Sequence, residues 1–214
     1  MGLSLAHVSI ALDGKALVRD LSLDIPAGSI VTLMGPSGTG KSTLLSFIAG
    51  DLPSAFTATG TVRLGGRDLS GMPPERRGIG QLFQDDLLFP HLTVGENLLF
   101  GMPRGDRAAR QAAMLRGLSD AGLDGLAGRP PQTLSGGQRA RVALMRALLA
   151  EPRAMLLDEP FNRLDMELRE SFRNFVFGQV RQRAIPCLLV THDRADAPEG
   201  GRVLRLSQGT ALDD

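Results

Sequence analysis

One cysteine, two lysines, no tyrosine and no tryptophan: this 214-residue sequence is marked first by what it leaves out. A single thiol, Cys187, excludes an intramolecular disulfide and points to a reducing compartment. Inside the apolar run Ile185–Val190 it reads as a buried, inert side chain. Net charge is also missing. The 24 basic and 23 acidic side chains leave +1, which argues against a protein that coats nucleic acid. The longest uncharged stretch, 25–40, is broken by Pro26, Gly28, Gly35 and Pro36 and cannot span a membrane. Without a basic N-terminal segment or a cleavage site, no signal peptide is predicted. Only Lys15 and Lys41 are lysines, and a lysine kept in so arginine-rich a chain calls for a chemical explanation.

What is present suits a folded domain. The chain is 43% hydrophobic and 22% charged, enough to bury a sizeable core in one domain or in one domain with an inserted lobe. Leu3–Ile10 and Leu21–Ile25 alternate as strands do, with Asp13-Gly14 as a turn between them. Ile30–Met34 is a continuous apolar run suited to a strand buried on both faces. Similar runs recur at Ile79–Phe83, Ala154–Leu157 and Leu188–Thr191. After Met34 come a glycine-rich loop and helical spacing over Ser42–Ala49, stopped by Gly50. Arg202–Ser207 and a Gln208-Gly209 turn lie near the end. Buried strands alternating with helices predict a parallel sheet with helices around it. Strand signals vanish between Asp85 and Ala150, where Arg107–Leu118 and Arg139–Leu149 carry helical patterns. A helical lobe at 85–150 is therefore expected between core segments 1–84 and 151–214. Its excess of arginine reads either as solvated helix faces or as a docking surface for an acidic or membrane-proximal partner.

Gly35-Pro36-Ser37-Gly38-Thr39-Gly40-Lys41-Ser42 fits G-x-x-x-x-G-K-[ST] between a buried strand and a helix, the context that motif needs. Its glycines let successive N–H groups form an anion nest, and the helix adds its positive end. Lys41 would reach the β- and γ-phosphates of a nucleoside triphosphate, and the Ser42 hydroxyl would ligate Mg²⁺. Further on, Leu134-Ser135-Gly136-Gly137-Gln138 places an N-cap serine and two glycines before a helical segment. Ala154–Leu157 then delivers Asp158 to the metal shell and Glu159 to a position from which it can polarise the attacking water. His192 and Gln84 each follow a strand-like run, at the sheet edge where ligands bind in open α/β folds.

With these motifs in this order, the sequence resembles the ATP-binding cassette (ABC) ATPases over essentially its whole length. The resemblance implies a single α/β domain: a P-loop NTPase core with a mainly parallel central sheet, an N-terminal antiparallel β subdomain and an inserted α-helical subdomain. It makes Gly35–Thr43 the Walker A motif, Thr43 included, and Leu134–Gln138 the signature. By the same matching Gln84 is the Q-loop glutamine, Asp158 the Walker B aspartate and Glu159 the catalytic glutamate. Asp165 is the D-loop aspartate and His192 the switch histidine. The implied catalytic set is Lys41, Gln84, Glu159 and His192, and the implied Mg²⁺ ligands are Ser42, Gln84 and Asp158. Two copies would close head to tail on two ATP molecules, so that Ser135, Gly136, Gly137 and Gln138 act across the interface on the γ-phosphate.

Two places depart from the family pattern. Most cassettes stack adenine on an aromatic residue near the start of the chain, whereas here the first phenylalanine is Phe47 and Leu12 takes that position. Weaker ATP binding and looser base selectivity follow. The D-loop, Phe161-Asn162-Arg163-Leu164-Asp165, differs from the usual Ser-Ala-Leu-Asp. Pro73–Gly80 and Asp85–Val94 resemble bacterial importers for thiamine, iron(III), sulfate or polyamines. Val31–Ser37, Leu82–Leu88 and Thr133–Leu149 resemble the short YnjD-type subunits more than they do those importers. The resemblance implies a peripheral, homodimeric motor on the cytoplasmic face of a bacterial inner membrane. It would drive an integral-membrane permease docked at Leu87, Leu88 and Phe89, with a periplasmic or surface substrate-binding protein at one remove and no nucleic acid. The alternatives are a soluble cassette ATPase acting on ribosomes, DNA or protein complexes, and an efflux or lipoprotein-release motor. Leu87–Phe89 could also belong to the core of the lobe.

Overall fold

The computed structural model describes residues 2–213. Asp13 and Gly14 both take left-handed backbone, φ +49° and +78°, the geometry of a two-residue hairpin turn whose twist suits the strands it joins. The hairpin pairs β1 (Leu3–Leu12) with β2 (Lys15–Ile25), Leu12 opposite Lys15. Next in the chain come β3 (Ile30–Met34), α1 (Lys41–Ala49), β4 (Phe56–Leu64) and β5 (Arg67–Asp68). One four-stranded sheet has the order β2-β1-β4-β5 and is antiparallel throughout. Irregular register between Ala6 and Ser9 bulges β1. The facing residue is Gly60, at φ +97°, where a Cβ would stand 2.6 Å from the His7 carbonyl oxygen and 2.7 Å from Val8 Cα.

A one-turn helix, α2 (Pro74–Arg77), leads to β6 (Ile79–Leu82). After the helical segment the chain returns with β7 (Ala154–Asp158), β8 (Cys187–Thr191), β9 (Val203–Ser207) and β10 (Thr210–Asp213). These strands and β3 make a six-stranded sheet of order β10-β9-β3-β8-β7-β6. β9, β3, β8 and β7 are mutually parallel, and β10 returns antiparallel to β9. β3 and β8 are buried at every residue, as strands covered on both faces must be. Cys187 is wholly buried within β8, and burial pushes its thiol far above the ordinary range. One core joins Leu5, Val8 and Ile10 of β1 to Val31 and Leu33 of β3, Leu44 and Ile48 of α1, and Leu188 and Val190 of β8.

Chain contacts divide the molecule into two compact units. The first comprises Met1–Gln81, Arg153–Glu159 and Phe177–Asp214, and the second Leu82–Pro152 and Pro160–Val176. In the second, α3 (Val94–Gly101), α4 (Arg107–Asp120) and α5 (Gly136–Leu149) pack against one another. The division differs from the expected one, which gave all of 151–214 to the core. Pro160–Val176, with the first half of α6 (Met166–Gln182), groups with the helices. Phe161 is fully buried and meets Phe172 edge-on at 5.9 Å. Arg141 of α5 donates to Ser171 Oγ at 2.7 Å and stacks 4.9 Å from the Phe175 ring.

α3 was not anticipated, although Thr93 and Glu96 form a capping box at its start and that signal is legible as Thr-x-x-Glu. Some of the lobe's arginines serve the fold, while Arg104, Arg107, Arg116 and Arg129 are exposed. Arg110 donates to the Leu99 carbonyl at 2.6 Å, Arg141 to Ala121 at 3.1 Å and Arg146 to Leu87 at 2.8 Å. A guanidinium offers five donors in a fixed fork, which suits it to backbone carbonyls near helix ends and in loops.

Candidate functional site

The glycine-rich loop has two positions that leave no room for a side chain. At Gly35, φ +157°, a Cβ would sit 2.6 Å from the Leu206 carbonyl oxygen, and at Gly40, φ +96°, it would meet Leu17 at 3.0 Å. Gly40 is the N-cap of α1 and brings no capping side chain, so the first-turn N–H groups are left to an anion. The other end of α1 is held by a cation. Arg77 donates to the carbonyls of Phe47 at 3.0 Å and Ile48 at 2.8 Å, complementing the helix dipole. Lys41 is 5% exposed. Its ammonium donates to the Gly35 carbonyl at 2.7 Å and the Pro36 carbonyl at 2.9 Å, which aims it across the mouth of the loop and leaves one of its three protons for a ligand.

Three predicted residues stand beside this loop in the same unit. Ser42 Oγ donates to Asp158 Oδ1 at 3.1 Å. Burial raises the Asp158 carboxyl above the usual range and Glu159 adds to that, while the Ser42 hydrogen bond and Lys41 oppose it. Glu159 turns out of β7 in left-handed backbone, φ +47°, a conformation that non-glycine residues keep only where their surroundings enforce it. Its N–H donates to the Val190 carbonyl at 2.9 Å, and its Oε2 lies 3.3 Å from His192 Nδ1. His192 follows directly on β8. Just before it, the buried Thr191 hydroxyl donates to Asp196 at 2.6 Å and accepts from the Asp193 N–H at 3.1 Å.

The remaining predicted residues fall in the helical unit. Gln84 is exposed just beyond β6. Ser135 is the N-cap of α5: its hydroxyl accepts from the Gln138 N–H at 3.2 Å, and Gln138 Oε1 accepts from the Ser135 N–H at 2.9 Å. Gly137 is buried, with Leu168 3.2 Å from where a Cβ would be. Asp165 accepts from the Leu168 N–H at 3.0 Å and so caps α6. Arg163, one of the D-loop departures, pairs with Asp85, and Arg139 pairs with Asp86 at 3.2 Å. Leu87 is exposed, whereas Leu88 and Phe89 are half-buried. The Phe89 ring packs edge-on against the exposed Phe100 at 4.6 Å, with the Arg146 guanidinium 5.5 Å away.

A glycine-built phosphate loop whose serine touches the first of two strand-end carboxylates, with a histidine on the second, agrees with the sequence comparisons. The ABC transporter family model matches residues 18–162. The chain belongs to the ABC transporter family. It is 48% identical over 207 residues to the ABC transporter ATP-binding protein YnjD of Escherichia coli, covering 96% of this chain and 95% of that protein. A sulfate/thiosulfate import ATP-binding protein of Agrobacterium fabrum is 41% identical, and an Fe(3+) ions import ATP-binding protein of Rhodococcus jostii is 45% identical. The chain spans about three-fifths of the length of those two, 62% and 58%. Among solved structures, the ATP-binding cassette MJ0796, a dimer in a post-hydrolysis state with ADP and Pi, superposes with a TM-score of 0.82 at 30% identity. The match covers 99% of this chain and 97% of that one. This ABC protein is thus an ATP-binding, ATP-hydrolysing transporter subunit with the fold expected from its sequence. No helix among its described residues is long and apolar enough to cross a membrane.

The ABC subunit's metal chemistry can be tested on its own residues. Ser42 and Asp158 supply a hydroxyl and a carboxylate in contact, hard oxygen donors of the kind Mg²⁺ takes singly or in pairs, with phosphate and water completing its shell. Some neighbours of the site escaped sequence reasoning. Leu12 is half-buried and lies opposite both Lys15 and Phe56 in the sheet, so an aromatic ring stands one strand away from the position that lacks one. Lys15 and Arg19 line a cavity that reaches Gly38 and Thr39. The scarcity of lysine was the available signal for Lys15, and no signal marked Phe56.

Proposed function

We propose that this chain is the motor subunit of an importer, working as a homodimer on the cytoplasmic face of a bacterial inner membrane. Its partners would be a multi-spanning permease and, at one remove, a substrate-binding protein. The observation that carries the chemical part is the paired contact at the strand ends, Ser42 to Asp158 at 3.1 Å and Glu159 to His192 at 3.3 Å, beside the loop that holds Lys41. Import is supported by the names of the sulfate and iron relatives, and the membrane location by their being transporter subunits.

In this reading the N–H groups of Gly35–Thr43 and the Lys41 ammonium hold the phosphates, while Ser42 and Asp158 hold Mg²⁺, which neutralises phosphate charge when bound. Gln84 keeps the family's part as a contact to metal or water. Glu159 accepts a hydrogen bond from the attacking water and so orients it. His192, next to Glu159, senses the γ-phosphate. Leu12 borders the base. Ser135, Gly136, Gly137 and Gln138, with Asp165, would complete the site of the second copy, where a capped helix start meets the γ-phosphate. The 1–84 and 151–214 segments would act mainly as the nucleotide-binding core, and 85–150 as the lobe that carries the signature and receives the permease at Leu87–Phe89.

The test combines two variants. Lys41→Ala should lower ATP hydrolysis at least a hundredfold in a folded protein, and activity within a few-fold of wild type would remove the phosphate assignment. Glu159→Gln with ATP should turn a monomer into a stable dimer in sedimentation. Recovered with ATP from its own membranes, the same variant should bring down one multi-spanning permease. Ribosomal or DNA-bound partners in its place would favour the soluble class of cassette ATPase.

A further inference from the structure

Only two lysines occur in the chain. Lys41 lies in the phosphate loop, and Lys15 lines a cavity of about 340 Å³ that opens onto the same loop. The cavity is bounded by Lys15, Leu17 and Arg19 of β2, Gly38 and Thr39 of the phosphate loop, and Gln208. Its volume falls within the range of small-molecule sites. No carboxylate is among its lining residues, and among the described residues neither Lys15 nor Arg19 makes an ion pair. Arg19 is fixed at its stem. Its N–H donates to the Gly209 carbonyl at 2.6 Å, and its Cγ lies 3.1 Å from where a Gly209 Cβ would be.

We infer that Lys15 and Arg19 form the base-and-ribose wall of the nucleotide site, so that the base rests against cations in place of an aromatic ring. This deepens the proposed function and rests on its placement of the phosphates. A ligand whose phosphates sit on the N–H groups of the loop reaches, at Gly38 and Thr39, the mouth of a cavity walled by two uncompensated positive charges. A cation over a π face is attracted to the ring, and its N–H groups donate to ring acceptors. Guanine offers two adjacent acceptors, O6 and N7, whereas adenine sets an amino donor beside N7. The wall therefore does not favour adenine, and the site accepts GTP as readily as ATP. Leu12, paired with Lys15 across the hairpin, adds apolar contact without base preference.

The experiment is equilibrium binding of ATP, GTP and inorganic tripolyphosphate to the full chain in EDTA, which prevents turnover. It is run on wild type, Lys15→Met and Arg19→Met. Methionine keeps the unbranched stem, including its cover over Gly209, and thermal unfolding checks that each variant is folded. The wild-type chain should bind GTP within about threefold of ATP. Each variant should bind both nucleotides about two- to fivefold more weakly, the scale of an exposed cation–π contact, with tripolyphosphate unchanged. Unchanged nucleotide affinity in both variants overturns the inference. So does an equal loss for tripolyphosphate, which would put the cations on phosphate, or a wild-type preference for ATP above tenfold. A wild-type chain that bound none of the three would instead overturn the phosphate assignment, and this inference with it.

Discussion

Ser135 is assigned two tasks, and they can be separated. Within the folded chain its hydroxyl accepts from the Gln138 N–H at 3.2 Å and starts α5. Across a closed dimer it would contact a γ-phosphate. Ser135→Ala removes the cap, which costs about 1 kcal/mol, range about 0.5–2. For a chain of this length that lowers the unfolding midpoint by about 2–4 °C per kcal/mol. Ser135→Asp keeps the cap, because aspartate caps as well as serine and adds a favourable charge at the positive end of α5. Its stability should stay within a few tenths of a kcal/mol of wild type. Hydrolysis should rank the variants differently. Ser135→Ala loses one hydrogen bond to a charged group, about 1.5–3 kcal/mol or roughly 10- to 150-fold in rate. Ser135→Asp sets a carboxylate against the γ-phosphate and should be the least active. Calorimetry without nucleotide and steady-state phosphate release read the two tasks independently. An unchanged midpoint in Ser135→Ala would refute the capping argument, and wild-type hydrolysis by Ser135→Asp would refute the γ-phosphate contact.

Gly60→Ala should cost about 1–3 kcal/mol in backbone strain and about 1–3 more in overpacking, because the added Cβ meets three backbone atoms of β1 within 2.8 Å. Urea unfolding within 1 kcal/mol of wild type would contradict the bulged register. Asp158→Asn should stabilise the nucleotide-free protein at pH 7 while abolishing hydrolysis. Burial raises the folded carboxyl above its unfolded value, so the native state binds the proton more tightly, and stability is lost as pH rises from the unfolded toward the folded pKa. The variant lacks that loss, and its advantage should vanish below both values; a less stable variant at pH 7 would reverse the sign. Arg163 and Asp85 are 62% and 53% exposed, so a double-mutant cycle on stability should give a coupling of about 0.2–1 kcal/mol that fades in 1 M salt. A coupling above 2 kcal/mol would mean that the pair is shielded from solvent in the assembled protein.

Much of the site was legible because its chemistry is bound to local pattern. A loop that curls its N–H groups inward needs glycines at fixed spacing, and a strand that delivers a carboxylate must be apolar up to that residue. Gly35–Ser42, Asp158 and Glu159 could thus be read directly, as could the turn at Asp13-Gly14 and the stop at Gly50. The capping box at Thr93 is equally local, a Thr-x-x-Glu start to α3.

What stayed hidden depends on residues distant in the chain. The placement of Pro160–Val176 with the helices follows from Leu168 over Gly137 and from Arg141 against Ser171 and the Phe175 ring, and neither contact has a periodic signature. Nor could spacing show that Arg77 closes the far end of the phosphate-loop helix, or that Lys15 and Arg19 share a cavity with Gly38. The sequence by itself determined the family and the positions of the glycine loop and the strand-end carboxylates, since hydrogen-bond geometry and burial impose these within a few residues. Only tertiary structure decided which carbonyls the arginines satisfy, which glycines cannot carry a side chain, and which residues line the cavity beside the glycine loop. Those are set by which surfaces meet when the sheet and helices pack, and no local pattern encodes that meeting.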